Sequence, residues 1–528
     1  MLKNIFKVGF LLMPILGNAQ LKAPDNWFNL DYSENKVRGV STEKAYDFLK
    51  GKTSRTIIVA VIDGGVDINH EDLKGKIWVN EKEIAGNGLD DDKNGFIDDV
   101  NGWNFIGGKD GKNVGPDNFE LTREMNRISK KFEGLNAEKI KNLKGKDKEE
   151  YESLAKIKGE FEKKKTEYEG NLSNIKQFHE MYKSSAIVLK GYLKKDSITK
   201  AMVDTISSND ALVSTSKRLM LYAYEINFSE PDIAEYEKSI SERLEFGLNP
   251  NFDTRKIVGD HYNDLKEKGY GNTDVKGPDA SHGTHVAGII AANRKNGIGM
   301  DGVCENVKIM AVRCVPNGDE RDKDVANAIR YAVDNGAMII NMSFGKDFSP
   351  NREYVEEAIK YATSKNVLLV HAAGNDHKNV DLENNFPNNK RVKSKSWIEI
   401  GASAWGDTSN FVANFSNYGK KTVDLFAPGL DIYSTMPGNK YKNQSGTSMA
   451  SPVTAGVAAL IWSYFPNLNA VQLKDVLMKS TIKYPNLKVN KPTEEKSDEK
   501  ISFGELSVSG GIVNALEAAK LASKISGK

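Results

Sequence analysis

Three short segments, far apart in the chain, place a serine, a histidine and an aspartate where each could serve nucleophilic catalysis. Ser448 stands in SGTSMASPVTAGVAALIW, where small residues lead into a stretch apolar on nearly every side, the pattern of a buried helix. A serine at such a start faces free backbone N–H groups and the positive end of the helix dipole, which favour the charge that develops on whatever the hydroxyl attacks. Gly446 permits an unusual backbone approach, and Pro452 is expected in the first helical turn, where proline is tolerated. The same serine could instead be a plain helix cap, which is the commoner use of serine there. His282, in SHGTHVAGII, opens a second small-residue, apolar helix, while His285, one turn further on, reads as a packed core residue. Asp63 ends the apolar run VAVID just before Gly64 and Gly65, where α/β folds gather active-site groups, although a lone aspartate in a turn is usually structural.

The three residue types fit one mechanism. A serine hydroxyl is a poor nucleophile until a base removes its proton; an imidazole is that base near neutral pH; a buried carboxylate fixes the imidazole tautomer and stabilises its protonated form. The chain order Asp63, His282, Ser448 disfavours an esterase of the α/β-hydrolase type, whose serine lies in G-x-S-x-G and whose histidine comes last.

The elements needed to position these groups are legible. Apolar, β-branched runs recur at Thr56 to Ile62, Lys308 to Val312, Met338 to Met342, Val367 to Ala373, Trp397 to Ser403 and Thr422 to Ala427. Each is nearly continuous in hydrophobicity, as strands covered on both faces are. Helix-like stretches such as DKDVANAIRYAVDNG separate several of them. The expected fold is a three-layer α/β domain with a mostly parallel, doubly wound sheet. From Asp117 to Asn249 the composition changes to Lys- and Glu-rich, with apolar residues three and four apart, which predicts an inserted α-helical subdomain or coiled hairpin. The division expected is 1–19 signal peptide, 20–50 N-terminal extension, 51–116 and 250–528 catalytic domain, and 117–249 helical insertion. The insertion could lid the site, recognise substrates, bind a partner or be a solvated appendage.

The segments AVIDGGVD, SHGTHVAGIIAA, AMIINMSFG, LLVHAAGND, DLFAPGLDIYST and SGTSMASPVTAGVAAL, in this order, resemble the subtilase family of serine proteases. The resemblance implies a subtilisin-like fold and a secreted serine endopeptidase, a hydrolase of polypeptide substrates. Asp63, His282 and Ser448 would form its triad, with the Asn375 amide and the Ser448 backbone N–H as oxyanion donors. It implies a substrate pocket walled by Met342, Ser343, Phe344 and Gly345 on one side and Ala372, Ala373 and Gly374 on the other. Lys346 stands where the family often has a second glycine, which leaves the side-chain preference open. Two other functions are weighed: a dedicated processing protease gated by the insertion, and a pseudo-protease used as a binding scaffold. Many secreted relatives carry a folded inhibitory pro-domain, but about 35 residues between Ala19 and the first strand are too few for one.

GLDDDKNGFIDDVNGW sets Asp90, Asp92, Asn94 and Asp98 at alternate positions around Gly95, with the carbonyl of Phe96 between, a way for a short loop to wrap calcium. Asn101 stands where an EF-hand loop would carry its twelfth-position glutamate, so the loop is expected to hold structural Ca2+ without being a full EF-hand.

The 74 basic and 72 acidic residues leave a net charge of +2, with no basic excess to draw in nucleic acid. The opening MLKNIFKVGFLLMPILGNAQ reads as a signal peptide cleaved after Ala19: its apolar run, interrupted by Pro14, is too short to span a bilayer. The chain is therefore expected to be exported, to the periplasm, cell surface or medium, with no transmembrane segment after cleavage. The two cysteines, Cys304 and Cys314, flank the apparent strand VKIMAV. An extended strand of that length separates its ends by some 20 Å, far beyond disulfide reach, so both are expected to be reduced.

Overall fold

The computed structural model describes residues 23–226, 228–406, 410–493 and 499–527. The expected signal peptide lies outside the described residues. The segment Leu121–Phe252 forms one compact unit and the rest of the described chain another.

The second unit is built on a nine-stranded sheet. Its first seven strands are β1 (Ile57–Asp63), β2 (Gly102–Asn104), β3 (Val307–Arg313), β4 (Ile339–Met342), β5 (Leu368–Ala372), β6 (Trp397–Ser403) and β7 (Leu425–Pro428). They lie in the order β2, β3, β1, β4, β5, β6, β7, all parallel, and Gly511–Ile512 with Ile482–Lys483 extend the sheet past β7. The expected doubly wound α/β architecture is thus present. Alternation along β1 divides its side chains between two cores: Ile57, Val59 and Val61 join one cluster, Ala60 and Ile62 the other. The first core is closed by the helices Ser281–Ala291 and Thr447–Tyr464, the second by Asp322–Asp334 and Arg352–Ser364. Strands wrapped on both faces explain the nearly continuous apolar runs.

After β1 the chain builds β2 and β3 on one side and then crosses to β4 on the other. The crevice beyond the carboxyl ends of β1 and β4 is therefore a topological switch point, the place where sheets of this kind bind ligands.

Within Leu121–Phe252 the dominant element is a helix of 49 residues, Gly145–Leu193, about 70 Å long at 1.5 Å per residue. It packs against the helices Ala211–Glu225 and Glu230–Glu242 around two small cores, one holding Leu189, Val203 and Met220 and the other Ile175, Ile233 and Ile240. The inserted segment is helical, as its composition predicts.

Cys304 and Cys314 are free, fully buried thiols that belong to different cores, and burial pushes the Cys304 pKa up to about 12. A thiol that is neither ionised nor accessible reacts slowly. Both are expected to resist a disulfide reagent such as dithionitrobenzoate in the native protein and to react at once in denaturant; fast native labelling would contradict this packing.

Candidate active site

Asp63 closes β1, and its backbone carbonyl accepts from Cys314 N at 3.0 Å, so the strand's hydrogen bonding continues into the crevice. The carboxylate is almost wholly buried. It accepts from the N–H of Gly64 at 2.7 Å, and His282 Nδ1 lies 2.8 and 2.9 Å from its two oxygens. His282 is the second residue of the helix Ser281–Ala291, and the close approach of that helix to the Asp63 turn depends on glycine. A Cβ on Gly283 would stand 2.2 Å from the Gly65 carbonyl oxygen and 3.1 Å from Asp63 Cβ. Gly65 itself has φ +140° and leaves no room for a Cβ beside the Lys276 carbonyl.

An Nδ1–H donated to Asp63 fixes the neutral imidazole with its lone pair on Nε2, the form a general base requires. Burial alone would lower the His282 pKa; the charge and hydrogen bond of Asp63, then the charge of Asp279, outweigh it, and the net shift is upward. The side chain is 43% exposed, so water screens part of this field. His285 behaves as its position suggests: its Nε2 faces the carbonyls of Ile432 and Lys442 at 2.9 and 3.0 Å, and burial drives its pKa down to about 3. It is a neutral core residue.

Ser448 is the second residue of the helix Thr447–Tyr464, nearly all of which is buried. The sequence places Pro452 in the first turn; the helix begins at Thr447, so Pro452 falls in the second turn and removes the N–H that would bond the Ser448 carbonyl. That carbonyl accepts instead from the Ser343 hydroxyl at 2.9 Å. Ser343 is held in turn by Asn341 Nδ2 at 2.9 Å, and Asn341 Oδ1 accepts from Ser451 Oγ at 2.8 Å. A buried polar network thus fixes the turn that carries Ser448. Asn341, fully buried in β4, was not singled out from sequence; a lone amide inside the apolar run MIINM was the available signal. Asp63 and His282 are joined by a hydrogen bond, whereas the Ser448 hydroxyl donates to the Ser343 carbonyl at 3.1 Å.

Asn375 has its amide orientation set by Thr447, whose backbone N–H and hydroxyl both approach Oδ1, at 2.8 and 3.0 Å. The Nδ2 donors therefore point the other way. The position a Cβ would take on Gly446 lies 3.5 Å from both Asn375 Nδ2 and Ser448 N, so both groups border Gly446 at the start of the Ser448 helix. The two pocket segments follow the adjacent strands β4 and β5. Asn385 bridges them: its amide donates to the Ala372 and Ala373 carbonyls at 3.2 and 3.0 Å and sits against Gly345 where a Cβ would clash. Phe344 offers its carbonyl to His371 Nε2 at 2.9 Å, Met342 is buried at the end of β4, and Gly374, at φ +102°, fits against Asn417.

The acidic loop is arranged differently from the alternate-oxygen reading. Asp98 turns both carboxylate oxygens onto the N–H groups of Gly86, Asn87 and Gly88 at 2.8 to 3.2 Å. Asn94 uses its side chain on Phe96 N and Asp99. What converges is Glu83 with Asp90 and Asp92, whose oxygens all lie within 4.8 Å of one another. Glu83 lies upstream of the motif, so the spacing pattern did not include it. An all-oxygen donor set of this kind suits a hard cation such as calcium.

Asp63 and His282 are thus joined at the carboxyl end of β1, and Ser448 opens a helix that packs on the same core of a doubly wound α/β sheet. The chain matches the Subtilase family over residues 54–504 and belongs to that family. It is 41% identical over 216 residues to the thermophilic serine proteinase of Bacillus sp. (strain AK1), covering 41% of this chain and 49% of that one. It is 38% identical to thermitase of Thermoactinomyces vulgaris, covering 39% of this chain and 72% of the relative. The cell wall-associated protease of Bacillus subtilis (strain 168) is 37% identical over 41% of this chain and 23% of its own. The chain thus spans about half or less of several curated relatives that it matches.

His282 is expected to titrate above an ordinary histidine, and Asp63→Asn to move that titration to lower pH, because burial would then act without the opposing carboxylate. Nitrogen NMR of the histidine side chains checks this; a titration unchanged by Asp63→Asn would contradict it.

Proposed function

We propose that this protein is an exported serine endopeptidase that hydrolyses peptide bonds through an acyl-enzyme on Ser448. The observation that carries the reading is His282 held through Nδ1 by the buried Asp63 carboxylate, with Ser448 at the start of the buried helix Thr447–Tyr464. In the first step the Ser448 hydroxyl leaves the Ser343 carbonyl and gives its proton to His282 Nε2 as Oγ attacks the scissile carbonyl. The oxyanion forms between Asn375 Nδ2 and Ser448 N, donors that need no reorganisation as charge develops. His282 then delivers its proton to the leaving amine, and water repeats the sequence to release the acyl group. The peptide lies between Ser343–Gly345 and Ala372–Gly374. Membership of the subtilase family supports this assignment of roles, as does the name serine proteinase borne by a relative at 41% identity. Export rests on the signal-peptide character of the first 19 residues; no helix among the described residues is long and apolar enough to cross a membrane.

The direct test is hydrolysis of unfolded casein by the wild-type protein and Ser448→Ala. Loss of about 10⁶-fold in the variant is expected for removal of the nucleophile; equal hydrolysis by both, or by neither while folded, would contradict the proposal.

Calcium belongs to the proposal in a revised site, with Glu83, Asp90 and Asp92 as carboxylate ligands. The ion would brace the loop that follows the β1 segment by cancelling their mutual repulsion. Calcium at 100 times its dissociation constant is expected to stabilise the fold by about 2.7 kcal/mol, read as a rise in melting temperature that Glu83→Gln reduces. Identical melting in calcium and in EDTA would remove the ion from the account.

A further inference from the structure

Lys346 is the residue whose role the sequence left open. Its backbone bonds Phe386 in both directions, at 3.0 and 2.8 Å, while its side chain runs into the interior and is 2% exposed. The ammonium lies 2.8 Å from Glu120 Oε2, 2.8 Å from Asp322 Oδ1 and 2.7 Å from the Glu320 carbonyl. Three acceptors thus converge on an ammonium that offers three N–H donors. Asp322 is fixed independently, accepting from Ser349 Oγ and Asn351 N, each at 2.8 Å. Glu120 is also buried, and Leu121, the first residue of the inserted helical unit, follows it directly.

The arrangement is part of a larger pattern. The four residues Arg321 to Asp324, at the start of the helix Asp322–Asp334, are all charged and all buried. Arg321 pairs with Asp117 at 2.9 Å, ahead of the insertion; Asp324 pairs with Arg255 at 2.5 Å, just after it. A single turn therefore clamps the chain on both sides of the insertion, and Lys346 connects that clamp to the end of the pocket segment. Buried charges are costly to leave unpaired, so such a node is either complete or lost.

Resting on the proposed protease reading, we propose that Lys346 is a positioning residue for peptide binding. Through the Glu120–Lys346–Asp322 ion cluster it fixes Phe344 and Gly345 against the substrate, and it makes their placement depend on the chain that leads into the helical insertion. Ser343 has its own anchors in Asn341 and Ser448, so loss of the cluster is felt at the peptide and little at the nucleophile.

The test separates these two. The rate of labelling by a small fluorophosphonate reads the nucleophile and oxyanion donors; KM for an octapeptide reads the pocket segment. Lys346→Met is expected to raise KM about 10-fold, the scale of a modest misplacement, while labelling stays within about 2-fold. Glu120→Gln, which keeps volume and an oxygen acceptor, is expected to raise KM in the same direction by a smaller factor and serves if Lys346→Met does not fold. Unchanged KM in a folded variant would overturn the proposal, and so would a fall in labelling parallel to the loss of peptide binding. A wild-type protein that labels but cleaves no peptide would defeat the protease reading itself, an outcome distinct from a Lys346 variant matching an active wild type.

Discussion

A carboxylate taken out of water must be compensated on the spot, and the Asp63 site is organised around that constraint. Asp63 is buried because it ends a central strand, and it is tolerated because Gly64 N–H and His282 complete its hydrogen bonding. The requirement reaches outward. His282 can stand there only if its helix approaches the turn closely, which Gly283 and Gly65 allow. The helix in turn rests on the first core, shared with the helix that carries Ser448. One interaction between residues 219 apart in sequence thus sets the placement of two helices.

The same logic recurs with opposite chemistry around Arg321 to Asp324. There, buried charges hold chain to chain where apolar side chains could have served. Apolar packing tolerates sliding; a lysine with three fixed acceptors does not. At the Ser448 turn the device is neutral. Pro452 withholds an N–H, the freed carbonyl takes the Ser343 hydroxyl, and the segment after β4 becomes tied to the Ser448 turn by side chains that lie within an apolar interior. Each arrangement joins one segment to an element distant in sequence.

That distance explains what the sequence did and did not reveal. Asp63, His282, Ser448 and Asn375 stood out because each lies at the junction of an apolar run and small residues, a local signal. The parallel sheet was legible for the same reason, since strands covered on both faces are continuously apolar. Asn341 was marked only by a lone amide inside an apolar run, and its partner Ser451 lies 110 residues away. Asn385 reaches back to the Ala372 and Ala373 carbonyls from a later loop, and Glu83 precedes the acidic motif and so fell outside its spacing. Asp98 satisfied the spacing of a cation loop, but its carboxylate lies on the N–H groups of Gly86, Asn87 and Gly88 and outside the group that Glu83, Asp90 and Asp92 form, a placement that spacing does not encode. Lys346 was visible as a departure from the family pattern, but its acceptors, Glu120 and Asp322, lie 226 and 24 residues upstream.

The central claim is that one hydroxyl, Ser448, is made nucleophilic by His282. Reaction of the folded protein with a fluorophosphonate, followed by mass spectrometry of its peptides, tests this most directly. The account predicts a single adduct on the peptide that contains Gly446 to Ser451, formed slowly or not at all in His282→Ala. An adduct on another serine, or one formed equally fast without His282, would contradict it.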